Sequence, residues 1–272
     1  MAKITAAEVN KLRKQTGAGM MDCKKALVEA EGDFEAAVDI LRKKGQKVAA
    51  KRADRDATEG AVIAKTNGAD KGAVIKLSCE TDFVAKNENF VALANKIADI
   101  ALASGVSTAE ELGAVEFEGG LTVAAKLQEQ TGVIGEKIEV AEMATVNAPY
   151  VASYIHMGNK IGTLVGLTAE AAEAGRDVAM QAAAMNPVAL NRDAVPQEVI
   201  DRELEVGKDL ARQEGKPEAM LDKIAAGRLN KFFKENTLVD QDFIKDSKLS
   251  VSKYLTSVEA GLAVVDFKRV SL

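Results

Sequence analysis

The sequence predicts an α+β fold: an N-terminal three-helix bundle, two related α+β core subdomains, and an antiparallel helical hairpin inserted in the second. Three observations predict it. Apolar residues recur at helical spacing through the first 45 positions. Period-two alternation takes over at Gly60 and recurs near residue 150. Two prolines then open a pair of long amphipathic segments between 196 and 235.

The bundle comes first. Thr5 and Glu8 have the spacing of a capping box, and Ile4 with Val9 that of a hydrophobic staple. A helix is expected from about Ala6 to Gln15, halted at Thr16-Gly17-Ala18-Gly19. Asp22 is expected to cap a second helix that runs to Ala30. Gly32-Asp33 breaks the chain and caps a third, with Phe34, Ala37, Val38 and Leu41 on one face and Gly45 as its C-terminal stop.

Residues 42–55 hold seven basic residues and one Asp. They fit either a nucleic-acid contact or a solvated helix leaving the bundle. No aromatic is interleaved for base stacking, which favours the solvated helix.

The first core subdomain spans 56–147. Ala61–Thr66 and Ala73–Cys79 read as strands around the turn NGADKG. A polar stretch, ETDFVAKNEN, leads to a helix over about 88–103, with Phe90, Leu93, Ala94, Ile97 and Ala101 on one face. Helical pieces follow at 107–113, opened by Ser107/Glu110 or Thr108/Glu111, and at 121–131. A strand is expected at 138–146.

The second subdomain, 148–272, repeats the order. Strands 151–156 and 161–168 flank MGNK, and a helix over 170–185 stops at Asn186-Pro187. GAVIKL from Gly72 aligns with GTLVGL from Gly162, which suggests duplication. In the insertion, Pro196 and Pro217 are expected at the first helical positions of two helices. Their stripes are Val199, Ile200, Glu203, Leu204, Gly207, Leu210 and Met220, Leu221, Ile224, Leu229, Phe232, Phe233. The hairpin offers two uses, pairing with a second copy of the chain or lying against a partner, and its polar outer faces do not choose. A helix near 250–256 and a strand over 261–270 complete the subdomain.

Composition narrows the function. The 272 residues carry 36 Lys and Arg, 41 Asp and Glu, one His, two Cys and no Trp. Two distant thiols and one imidazole assemble neither a disulfide framework nor a zinc site, and point to a reducing cytoplasm. No window has the roughly 20 apolar residues of a membrane span, and the first residues lack the apolar core of a signal peptide. The net charge of −5 argues against a nucleic-acid binder as a whole. No phosphate-binding glycine loop is present, so neither nucleotide nor any other cofactor is expected. Nucleophilic catalysis would have to pass through His156, and no enzyme is expected.

Three places stand out as contact sites. Asp82 and Phe83 fit either a turn residue with a core anchor, or a wedge presented by a loop to a partner pocket. His156 fits a structural or contact role better than a base. Met20-Met21 fit soft contacts or core plugs equally.

At these residues the chain resembles the bacterial translation elongation factor Ts family, guanine-nucleotide exchange factors for elongation factor Tu. The resemblance rests on LRKQTGAGMMDCKKAL at 12–27, GDFEAAVDILRKKG at 32–45 and CETDFVAKN at 79–87. It extends through SYIHMGNKIGTLVGL at 153–167 and EGKPEAMLDKIAAGRLNKFF at 214–233, covering nearly the whole chain in order. It implies a ubiquitin-associated-like bundle, a two-part core and the inserted coiled-coil-like hairpin. It also implies that Thr81-Asp82-Phe83-Val84 enters the partner GTPase near its Mg²⁺ site and displaces that ion. Ile134-Gly135 and His156 would lie alongside, and Leu12, Arg13, Met20 and Met21 would dock on the same GTPase. Certain members continue beyond the point matching VVDFKRVSL into a further C-terminal helix, a contact not expected here. Others carry a more basic or glycine-rich turn at Met157-Gly158-Asn159.

Overall fold

Two three-stranded antiparallel sheets of the same topology stack face to face, each with one helix on its outer side. The computed structural model describes residues 4–272. The first sheet is the hairpin β1 (Glu59–Thr66) and β2 (Lys71–Cys79), with β5 (Glu139–Asn147) added to the free edge of β2. The second is the hairpin β6 (Tyr150–Ile155) and β7 (Ile161–Leu167), with β10 (Val264–Ser271) added to β7. Helix α5 (Glu88–Ser104) covers the first sheet, and α8 (Ala172–Met185) covers the second. The expected repeat of hairpin, helix and third strand is therefore present in both halves.

Strand alternation sorts the side chains. Ala61, Ile63, Ile75 and Leu77 face α5 and meet Phe90, Ala94 and Ile97, the face expected from the sequence. Val62, Ala64 and Val74 point the other way, into an inter-sheet layer with Val151, Leu164 and Val270. The aligned glycines make that layer thin. A β-carbon on Gly72 would sit 2.8 Å from Val151 Cγ1 and 2.9 Å from Leu164 Cδ2; one on Gly162 would sit 2.8 Å from Val62 Cγ1. Each hairpin makes room for the aliphatic side chains of the other.

The N-terminal bundle comprises α1 (Ala6–Thr16), α2 (Met20–Glu29) and α3 (Phe34–Lys51). The Thr5/Glu8 capping box forms, and Asp33 caps α3 by accepting from the Ala36 N–H. Two expectations here are corrected. Asp22 does not cap α2, which starts earlier from Gly19. Asp22 lies in its first turn and binds Lys44 at 2.5 Å. Nor does Gly45 stop α3. The helix runs through it to Lys51, because Gly45 is where α3 crosses α7 (Val123–Ile134). A β-carbon on Gly132 of α7 would lie 2.4 Å from the Gly45 Cα. The helix leaves the bundle with Arg42, Lys43, Lys44, Lys47 and Lys51 exposed, as the solvated reading expected, while its Gly45 face packs on the first subdomain.

Further elements refine the expectation. Helix α6 (Ala109–Ala114) uses the Thr108/Glu111 box rather than Ser107/Glu110. Two small hairpins, β3 (Glu116–Glu118) with β4 (Leu121–Thr122) and β8 (Asp242–Phe243) with β9 (Asp246–Ser250), escaped sequence reading because each is only a few residues long. The insertion is α9 (Gln197–Gln213) and α10 (Leu221–Asn236), packed where Gly207 meets Ala225. Pro196 sits at the N-cap of α9, one position before its expected place, and Pro217 caps a short 3-10 turn ahead of α10. The seam is narrower than expected: Gly207, Ala211, Leu221 and Ala225 are buried, whereas Leu210 and Met220 are exposed. Helix α11 (Val251–Val258) precedes the last strand. No helix among the described residues is long and apolar enough to cross a membrane.

The glycine crossing reverses the usual effect of Gly→Ala in a helix, a gain of about 1 kcal/mol. Gly132→Ala should lower the thermal unfolding midpoint by about 2–8 °C, since the methyl group has no room. Gly227→Ala in α10, with open space around it, should raise the midpoint by about 1–4 °C. Calorimetry showing a rise in both would contradict tight packing of α3 on α7.

Candidate functional site

The candidate site grows from the end of β2. Glu59 of β1 pairs with Cys79, the last residue of β2, and the chain must turn there to begin α5. It does so through α4 (Asp82–Ala85), one helical turn with Thr81 at its N-cap. Val84 and Ala85 lean onto the core beneath α5, so the turn is seated from within. Phe83 points the other way and is 84% exposed. Its reading as a core anchor is thereby excluded. An aromatic ring left in water on an ordered turn loses hydrophobic stabilisation that a core position would supply.

Two carboxylates hold the turn in place. Glu136 Oε2 accepts from the backbone N–H groups of Glu80 at 3.1 Å and Thr81 at 3.0 Å, and its Oε1 accepts from the Thr81 hydroxyl at 2.7 Å. Glu80 returns the bond: its Oε1 accepts from the Lys137 N–H at 2.7 Å and from the Arg52 guanidinium at 2.7 Å. The Lys137 N–H, with Arg52 beside it, holds the Glu80 carboxyl below the ordinary carboxylate range. Burial, together with the Glu136 charge, pushes the Cys79 thiol up to about 12, so it stays protonated. Asp82 is exposed on one side and paired with Lys86 at 2.6 Å. That hydrogen bond holds its carboxyl below the usual range, so Asp82 is an anion at neutral pH.

The other expected residues lie in three groups. Ile134 is the last residue of α7 and Gly135 its left-handed C-cap, at φ +83°. They directly precede Glu136 and so adjoin the turn. His156 follows β6, exposed, with its Nδ1 3.1 Å from the Tyr154 hydroxyl. Its turn reaches back to the first sheet: the Val62 N–H donates to the Asn159 carbonyl at 2.7 Å, and Lys160 lies 3.9 Å from Glu59. This places His156 at the Glu59–Cys79 end of the first hairpin, where the Asp82-Phe83 turn also begins. Met157, beside it, is 88% exposed.

Met20 and Met21 are 54% and 62% exposed at the start of α2, and Arg13 is exposed on α1. The core-plug reading of the methionines is therefore set aside. Leu12 is corrected: it is wholly buried in the bundle core and supports this surface rather than forming it. A β-carbon on Gly17, in the loop before α2, would stand 3.8 Å from Val133 of α7. The bundle surface is thus tied to the helix end carrying Ile134-Gly135.

Sequence reading missed Glu136, Glu80 and Arg52. A Glu two residues beyond a helix carries no local signal, and Arg52 was grouped with a basic run. That run is partly spent internally, since Arg52 binds Glu80, Lys44 binds Asp22 and Arg42 lies 3.7 Å from Asp39. Among the described residues, no three His, Cys, Asp or Glu side chains converge as a metal-ligand set.

Comparison with known proteins identifies the family. The family model described as elongation factor TS matches residues 80–272. Elongation factor Ts of Christiangramia forsetii is 62% identical over 276 aligned positions, covering 100% of both chains. The proteins of that name from Flavobacterium psychrophilum and Amoebophilus asiaticus are 57% and 54% identical, over 100% and 98% of each chain. With a family match over residues 80–272 and relatives alike from end to end, the chain belongs to the elongation factor Ts family.

Proposed function

We propose that this chain is a guanine-nucleotide exchange factor for the translation GTPase elongation factor Tu, working in the cytoplasm and acting by binding alone. The observation that carries the reading is Phe83, exposed on a turn whose backbone is bonded on two sides. A large ring held out on a rigid support is a wedge suited to a partner pocket.

The mechanism is linkage. The GTPase binds nucleotide with Mg²⁺, or it binds this factor, and each weakens the other by the same coupling free energy. Phe83 displaces side chains that support the nucleotide site. Asp82 brings an anion towards the phosphates and competes for groups around the partner's Mg²⁺. Its ion pair with Lys86 is exposed, and such pairs are weak, so it exchanges partners readily. Losing the metal removes charge stabilisation from the diphosphate, and GDP leaves. GTP then binds and drives the factor off.

Arg13, Met20 and Met21 supply the second foothold, with Ile134-Gly135 and His156 flanking the wedge. Methionine suits such a surface because its unbranched side chain adapts to the partner. The division of labour follows from position: the bundle contributes affinity, and the Phe83 turn contributes displacement.

Rapid mixing of the factor with elongation factor Tu carrying fluorescent GDP tests both parts. Phe83→Ala should slow stimulated release roughly ten- to thirtyfold, the size of a lost aromatic anchor. Asp82→Ala should slow it by about three- to tenfold. Both variants should melt at the wild-type temperature, since neither side chain is buried. Wild-type release from both would remove the turn from the mechanism. Changing Met20 and Met21 together to Ala should instead raise the half-saturating factor concentration about tenfold and leave the saturating rate within about twofold. A reduced saturating rate at unchanged half-saturation would contradict the assigned foothold.

A further inference from the structure

We propose that Glu136 is a positioning residue for exchange, locking the Asp82-Phe83 turn in its displacing geometry, with Glu80 and Arg52 completing a lock that ties the turn to the N-terminal bundle. The role rests on the wedge reading of Phe83 given above, and deepens it.

The turn needs such a device. Val84 and Ala85 rest on the core, but no residue of the turn is fully buried and its aromatic ring points into solvent. Apolar contact is non-directional, so by itself it leaves the ring's direction free, and only part of the docked population would hold Phe83 aligned to displace. The Glu136 carboxylate removes that freedom at the hinge between β2 and α4. It accepts three bonds, two from consecutive backbone N–H groups and one from the N-cap hydroxyl, all between 2.7 and 3.1 Å. An ionised acceptor makes each of these stronger than a neutral one would.

The reciprocal bond from Glu80 to the Lys137 N–H closes a second link between the same two loops. Two links prevent rotation about either one. Arg52, the residue that follows α3, then fastens Glu80 to the long helix of the bundle. The hydrogen bonds link Arg52, Glu80 and Lys137 on one side, and on the other Glu136 and Thr81, the N-cap of the turn that carries Phe83. Through it, the orientation of the docked bundle and that of the wedge become one rigid quantity.

The test uses the full-length protein and elongation factor Tu loaded with fluorescent GDP. Glu136→Ala should lower the saturating release rate about tenfold while half-saturation moves less than about threefold, because the docking surface is untouched. Hydrogen–deuterium exchange at the Glu80 and Thr81 amides should accelerate at least about tenfold in the same variant. Glu136→Gln keeps an oxygen for both N–H groups and an amide for the Thr81 hydroxyl, so it should restore the rate to within about threefold of wild type. Should Glu136→Ala fold poorly, Glu80→Ala removes the reciprocal link and should act in the same direction, freeing the Lys137 amide. A wild-type saturating rate in Glu136→Ala, or a slowed rate with those amides still protected, would overturn the positioning role. So would a Gln variant as slow as Ala. Phe83→Ala, run alongside, separates the two readings: if it slows release and Glu136→Ala does not, only the positioning role falls. If Phe83→Ala is itself without effect, both fall.

Discussion

The sheet-on-sheet interface is the constraint from which the rest of the molecule follows. Valines and leucines of each hairpin fill the space left by a glycine of the other, with Gly72 against Val151 and Leu164, and Gly162 against Val62 and Val74. Close approach at both places sets how the two halves are aligned, and interiors packed at this density tolerate little sliding. The alignment brings the β6–β7 turn onto β1, where the Val62 N–H finds the Asn159 carbonyl. His156 and the Phe83 turn, 73 positions apart, both lie at the Glu59–Cys79 end of the first hairpin for that reason.

A second close approach, between Gly45 and Gly132, does for the bundle what the first does for the core. It lays α3 along α7 and carries Arg52 to Glu80. Small residues at a helix crossing let backbones meet, and backbones are stiffer than side chains, so the junction holds the bundle in one attitude. The charge distribution is easier to understand in this light. The first 55 residues carry a surplus of basic side chains within an acidic chain, and several of those positive groups serve as internal ties before any reach a partner.

Much of this architecture was legible beforehand because the signals are local. Thr5 and Glu8, Asp33, and Thr108 and Glu111 mark helix starts through bonds spanning three residues. The Phe90–Ala101 stripe and the alternation of β1 and β2 report which face is buried. Errors arose where a residue answers to a distant partner. Gly45 has the composition of a helix stop, yet Gly132 across the crossing decides that it stays inside the helix. Leu12 sits in a string that the family resemblance offers as a docking surface, and only packing shows that its side chain turns inward. Leu210 continues a helical stripe that the second helix of the hairpin is too narrow to cover.

The site divides along the same line. By itself the sequence determined the fold class, the order of elements and the presence of an aromatic beside an acid on a strand-to-helix turn. Spacing and side-chain type are properties of neighbouring residues, and a family resemblance is carried by contiguous strings. Tertiary structure alone decided that Phe83 faces water rather than the core. It alone brought Glu136, more than fifty positions away, to the N–H groups of Glu80 and Thr81. Long-range bonds to backbone groups leave no periodicity to read, because any residue supplies the N–H and only the fold brings the carboxylate to it.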